Sequence, residues 1–207
     1  MIRKAPKTEF SFRGMTMLTA SHPAIRKVKR QDAHPSIHGD KLWKSSLLLI
    51  DYLNKNIPEH TKTVLDVGCG WGPSGIWCAR KLGADVTSVD ADENVFPYLD
   101  VIAGMNKVTT TPLVSRFEKL STPQLAEFDM LIAADICFWE ELVNPVCNMI
   151  DRAVDAGVKH ILIADPERSS FFEMAERCID KHCADLIEWK TAKPHAARGA
   201  LLIIENA

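Results

Sequence analysis

The 207-residue sequence predicts an α/β fold: a seven-stranded, mostly parallel sheet with helices on both faces and an antiparallel hairpin at its C-terminal end. Three observations predict it. From residue 40 onward short apolar runs alternate with helix-spaced ones, without a long low-complexity linker. A glycine turn, Gly68-Cys69-Gly70-Trp71-Gly72, joins the first apolar run to the helix after it. The last two runs have no helix between them, so they pair antiparallel.

The elements follow in order. Leu42, Trp43, Ser46, Leu47, Leu49, Ile50 and Leu53 recur at helical spacing, and Pro58 closes that segment. Residues 63–67 read as the first strand. Residues 73–82 read as a helix, with Pro73 near its start and Gly83 just past its end. A second strand at 86–90, a helix at 94–105 and a short third strand at 112–115 come next. Residues 129–134 form a continuous apolar strand. A helix from about 140 to 156 presents Leu142, Val146, Met149, Ile150 and Ala153 on one face, and Gly157 ends it. Residues 160–164 supply a fifth strand, 169–181 a helix, and 185–189 and 200–205 the final pair.

The chemistry concentrates at the first turn. The run Val64-Leu65-Asp66-Val67-Gly68-Cys69-Gly70-Trp71-Gly72 ends a buried strand in glycines at alternate positions, which admit close approach of a ligand to the backbone. Asp90 ends the second strand 22 residues beyond Gly68, close to the roughly 20-residue offset at which an acid meets ribose hydroxyls in such units. A nucleoside-containing cofactor is expected. A dinucleotide fingerprint would place glycine at position 73, where this chain has Pro73, and Asp66 stands two residues before the first glycine. That Asp-x-Gly-x-Gly-x-Gly run resembles the first motif of class I, seven-β-strand S-adenosylmethionine-dependent methyltransferases, whose sheet is Rossmann-like. The resemblance covers roughly residues 39–207, which is taken as the methyltransferase domain, with residues 1–38 as a basic N-terminal arm.

Two further segments narrow the resemblance. Gly39-Asp40-Lys41-Leu42-Trp43 and Ala134-Asp135-Ile136-Cys137-Phe138-Trp139 resemble the Gly-x-x-x-Trp and Asp-x-x-Tyr or Phe patterns of the protein-lysine, nicotinamide N-methyltransferase-like group. Asp165-Pro166-Glu167-Arg168 is similar to the branch containing the electron-transfer-flavoprotein β-subunit lysine methyltransferase, with Glu167 in place of the usual glycine. The resemblance implies S-adenosyl-L-methionine as cofactor, held by Trp43, Asp66, Gly68, Cys69, Gly70, Gly72, Asp90, Ala91, Phe117, Glu118 and Ala134. Asp90 is expected to accept the ribose hydroxyls, at about 1.5 to 3 kcal/mol per charge-assisted bond, with helix capping as its alternative role. Asp66 either meets the cofactor's ammonium or orients the turn. Phe117 and Glu118 fall where the adenine is usually held, against core-packing and solvated alternatives. Asp135 and Phe138 are the catalytic candidates: Asp135 orients the acceptor nitrogen, or else caps the helix that follows, and Phe138 with Trp139 forms an aromatic wall suited to cations.

Composition bounds the function classes. Hydrophobic residues make up 46% and charged ones 25%, the profile of a globular protein. No run of about 18 apolar residues occurs, and Met1-Ile2-Arg3-Lys4-Ala5-Pro6-Lys7 lacks the apolar core of a signal peptide, so a cytoplasmic location without membrane partners is expected. Six cysteines without Cys-x-x-Cys spacing read as buried thiols, and Cys178, His182 and Cys183 lack a second ligand cluster, so no metal is expected. Residues 1–44 carry ten Lys or Arg against three acids, while the remainder carries fifteen against twenty-four. That asymmetry fits a basic arm that meets an acidic partner or nucleic acid, or else a solvated strand or turn complementing an acidic body. The expected acceptor is a protein lysine. A small nicotinamide-like amine is the first alternative. A nucleic-acid acceptor is disfavoured because Asn or Asp-Pro-Pro-Tyr or Phe is missing after the fourth strand, and a catalytically silent interaction module is disfavoured by Asp66, Gly68, Gly70 and Asp90 together.

Overall fold

The computed structural model describes residues 8–31, 34, 35, 39 and 41–206. A hairpin of β1 (Glu9–Phe12) and β2 (Met15–Leu18) leads into the short helix α1 (Pro23–Lys29) and then α2 (Ser45–Lys55). Strand and helix alternate from there: β3 (Thr63–Val67), α3 (Pro73–Lys81), β4 (Asp85–Asp90), α4 (Phe96–Asn106), β5 (Thr111–Val114), α5 (Thr122–Leu125) and β6 (Met130–Ala134). The chain continues through α6 (Val143–Asp155), β7 (His160–Asp165), α7 (Ser169–His182), β8 (Asp185–Lys190) and β9 (Arg198–Glu205).

Seven strands form one sheet in the order β5-β4-β3-β6-β7-β9-β8. The first five are parallel, and β9 runs antiparallel to both β7 and β8. This is the Rossmann-like, mostly parallel sheet with an antiparallel C-terminal pair that the strand–helix alternation predicts. One refinement lies in the order, because β9 inserts between β7 and β8. Its Leu201, Leu202, Ile203 and Ile204 are all buried, so the apolar run claims the two-sided interior place. β8, with exposed Asp185, takes the edge.

Two apolar layers flank the sheet. On one face Leu48, Leu49, Trp77, Leu99 and Ile102 of α2, α3 and α4 pack on the strands; on the other Val146, Met149, Phe171 and Met174 of α6 and α7 do. Helix starts carry local causes. Pro73 opens α3 with its fixed φ, and Asp92 accepts the Asn94 N–H at 3.0 Å, capping a 3₁₀ turn (Glu93–Val95) that leads into α4. A similar 3₁₀ turn (Glu140–Leu142) precedes α6, so the long helix begins at Val143, three residues later than its periodicity suggests.

The segment read as a basic arm is folded over much of its length. Arg13 and Gly14, both at positive φ, turn the first hairpin, and Phe12, Met15, Met17 and Leu18 are buried in the same apolar layer as α3 and α4. The segment's charges stay at the surface while its apolar residues pack: Arg26, Lys27 and Arg30 are exposed, and Ile25 and Val28 on the other face of α1 are buried. Arg3, Lys4, Lys7, Asp32, Asp40 and the division drawn after residue 38 lie outside the described residues. Among the described residues no helix is long and apolar enough to cross a membrane.

Candidate functional site

A cleft of about 290 Å³ lies beyond the carboxyl ends of β3, β4 and β6, where strand order reverses on either side of β3. Its floor is the first glycine turn. Gly70 has φ +53°, and a Cβ added there would meet nothing within 4 Å, so its backbone presents an open face to the cleft. Asp90 Oδ2 accepts the Gly70 N–H at 3.0 Å and Oδ1 accepts the Asp92 N–H at 3.0 Å, which ties the ends of β3 and β4 together. Burial pushes the Asp90 carboxyl upward from its ordinary pKa, against the opposing pull of those two N–H groups.

Asp66 is 3% exposed, and its Oδ2 accepts the Gly75 N–H in the first turn of α3 at 3.0 Å. Burial pushes its pKa up to about 7, with the Gly75 N–H opposing and the Asp90 charge adding. It lines the cleft, and its bond to Gly75 shows the turn-orienting role expected as one of its two alternatives. Gly72 lies between the cleft-lining residues Trp71 and Pro73. Its φ is +69°, it precedes α3, and a Cβ there would lie 2.6 Å from Leu99 Cδ1, so glycine at this position also lets α4 pack closely on the turn.

The remaining candidates do converge. Trp43, Gly68, Cys69, Ala91, Phe117, Glu118, Ala134, Asp135 and Phe138 all line the cleft with Asp66, Gly70 and Asp90. Lys41 Nζ stands 4.0 Å from the Trp43 ring centroid. Glu118 sits on a 3₁₀ turn (Phe117–Lys119) and accepts Arg116 Nη2 at 3.1 Å. Phe138 and Trp139 meet edge to face at 4.7 Å, and Trp139 is 55% exposed at the cleft wall. His182, weighed as a metal ligand, pairs instead with Asp151 at 2.7 Å.

Asp135 is the most constrained of these. It follows β6 at φ +61°, a left-handed backbone uncommon for a residue with a side chain. Its Oδ1 accepts Arg168 Nη2 at 2.7 Å; its Oδ2 is buried and has no hydrogen-bond partner among the described residues. The same guanidinium donates through Nη1 to Asp165 Oδ2 at 2.8 Å, and the Arg168 N–H donates to Asp165 Oδ1 at 2.9 Å. Burial pushes Asp165 up to about 6 despite those bonds, with the Asp135 charge adding to the rise. The capping alternative for Asp135 finds no counterpart in these bonds.

The lysine methyltransferase family matches residues 26–178, a span that includes every cleft-lining strand end. The chain belongs to that family. A relative, histidine protein methyltransferase 1 homolog of Dictyostelium discoideum, is 28% identical over 138 residues, 63% of this chain and 44% of that one. Another, the electron transfer flavoprotein beta subunit lysine methyltransferase of Danio rerio, is 27% identical over 132 residues, 62% of this chain and 50% of that one. The chain thus spans about half the length of the curated relatives it matches. A solved rRNA methylase from Streptococcus thermophilus shares the fold, with a TM-score of 0.56 at 13% identity over 80% of this chain and 98% of that one.

Family and fold imply S-adenosylmethionine, and two features of this lysine methyltransferase-family cleft suit it. Gly70 leaves an open backbone cradle beside the Asp90 carboxylate, and Asp135 lines the same cleft with a buried Oδ2 that has no partner among the described residues. Sequence reasoning did not single out Arg168 or Asp165 as site residues. The available signal was local: an acid ending a strand and an arginine three residues on, across a proline, makes a tight turn whose arginine points back along the strand end.

Proposed function

We propose that this protein transfers a methyl group from S-adenosylmethionine to a nitrogen of a protein side chain, with lysine as acceptor. The observation that carries the reading is the orphaned, buried Oδ2 of Asp135 in a cleft that a lysine methyltransferase family match spans. When bound, the cofactor supplies an activated methyl on a positively charged sulfur. Asp90, Gly70, Trp43, Phe117 and Glu118 bind and orient it; Asp66 holds the turn and offers its carboxylate to an ammonium.

An amine acceptor has to present a free lone pair. At pH 7 that costs about 4.6 kcal/mol for a lysine of ordinary pKa near 10.4. Half-buried Phe138 and exposed Trp139 form an aromatic approach that admits an alkyl chain and tolerates its positive charge, at roughly 0.5 to 1 kcal/mol per cation–π contact. Asp135 Oδ2 accepts an N–H of the acceptor and so turns the lone pair toward the methyl. Holding two reactants in line in this way accounts for about 7 to 11 kcal/mol of a barrier.

The test is incubation of the protein with methyl-labelled S-adenosylmethionine and a cell lysate, followed by identification of the labelled molecule. Label on a protein lysine supports the proposal. Label on histidine, on a small heterocyclic amine or on nucleic acid overturns the choice of acceptor, and cofactor binding without label in any fraction favours a silent interaction module.

A further inference from the structure

We infer that Arg168 is a positioning residue that sets the charge at the methyl-transfer end of the cleft, taking Asp135 Oδ1 for itself and leaving Oδ2 for the acceptor. The inference rests on the cofactor reading above and concerns a residue outside the set assigned to cofactor or acceptor. Its guanidinium is fixed at both ends, by Asp135 at 2.7 Å and Asp165 at 2.8 Å, and it lines the cleft. A planar fork bridges two carboxylates in a way that a single ammonium does not.

The arrangement solves a problem set by Asp135 itself. An uncompensated carboxylate beside the acceptor would favour the acceptor's cationic form and withhold the lone pair. With Arg168 in contact much of that charge is offset at short range, while the hydrogen-bonding capacity of Oδ2 remains. In the sheet β3 lies between β4 and β6, so the strand ends bearing Asp90 and Asp135 are two strand spacings apart, about 10 Å. A cofactor held with its sugar at Asp90 would have room to place its sulfur over β3, on the side of Asp135.

S-adenosylmethionine and S-adenosylhomocysteine differ by one methyl and one positive charge at that sulfur, so their affinity ratio reads the local field independently of turnover. Titration calorimetry with both ligands is to be run on the wild type, Arg168→Met, Arg168→Lys and Asp135→Asn. Removing the guanidinium charge in Arg168→Met is expected to shift the ratio toward the charged ligand by roughly fivefold or more, given charges several ångströms apart in a partly buried site. Asp135→Asn should shift it the opposite way, and Arg168→Lys should keep the wild-type ratio. Equal weakening of both ligands in Arg168→Met, or an unchanged ratio in Asp135→Asn, overturns the inference and leaves the cofactor reading standing. If Arg168→Met does not fold, Asp135→Asn decides alone. A wild type that binds neither ligand overturns both readings.

Discussion

Asp66 is a buried acid whose Oδ2 accepts the Gly75 N–H, and its pKa near 7 has a thermodynamic consequence. Between pH 4 and 7 the native state holds a proton that the unfolded chain has released. Stability therefore falls as pH rises across that window, by up to about 1.4 kcal/mol per unit from this one group. Asp165, with a pKa near 6, acts in the same direction but is half spent at pH 6 and fades over about the next unit. Urea unfolding at pH 6.0, 6.5 and 7.0 separates the two: Asp66→Asn should flatten the decline, and a slope equal to that of the wild type would contradict the assignment. Asp66, Asp90 and the glycines were legible because strand, turn and acid lie close together in sequence. Arg168 was not, since its bond to Asp135 joins residues 33 apart and no local pattern announces which carboxylate an arginine meets.

The first hairpin is held at its turn by one side chain of α2. Asp51 is fully buried and accepts Arg13 Nε at 2.6 Å, Lys55 Nζ at 2.9 Å and Trp189 Nε1 at 3.0 Å. Burial raises its pKa, but the bonds from Lys55, Arg13 and Trp189 together outweigh that and hold the carboxyl below its ordinary value. Its contribution is thus present above pH 4 and lost as pH falls through the depressed value. Asp51→Asn leaves Arg13 and Lys55, both partly exposed, without their shared anion, and should cost about 2 kcal/mol and roughly 4 to 8 °C in Tm. A melting temperature within 1 °C of wild type, a change expected only for a solvated pair, would show that the hairpin is held by its apolar residues alone. Phe10, Phe12, Met15 and Met17 alternate about Arg13-Gly14, so this element was also legible; attention to the charges in the segment obscured the period-2 pattern.

Across the molecule, the parallel sheet places the carboxyl ends of β3, β4 and β6 side by side, and that is what brings residues 66–70, 90–91, 134–136, 138 and 168 to one cleft. Alternation of strand and helix in the sequence foretold the sheet and its antiparallel end, because buried parallel strands must be apolar throughout. Strand order was not in the pattern: that β9 rather than β8 adjoins β7 follows from which run has two apolar faces to bury. The packing demand on Gly72 likewise depended on where α4 lands. At this scale an exposed Trp139 beside the cleft is the feature best placed to meet a macromolecular acceptor. Trp139→Ala should raise KM for a protein acceptor several-fold while leaving cofactor affinity unchanged, read by parallel kinetics and calorimetry; an unchanged KM would remove the residue from acceptor recognition.

In the proposed function, the cleft over β3, β4 and β6 binds an adenosyl cofactor with its sugar on Asp90. Calorimetric titration of S-adenosylmethionine into the wild type and Asp90→Ala tests it directly. Saturable one-to-one binding by the wild type, weakened roughly 30-fold or more in the variant for the loss of charge-assisted bonds worth about 2 kcal/mol or more, is the expected result. Absent binding in the wild type, or equal affinity in the two proteins, would contradict it.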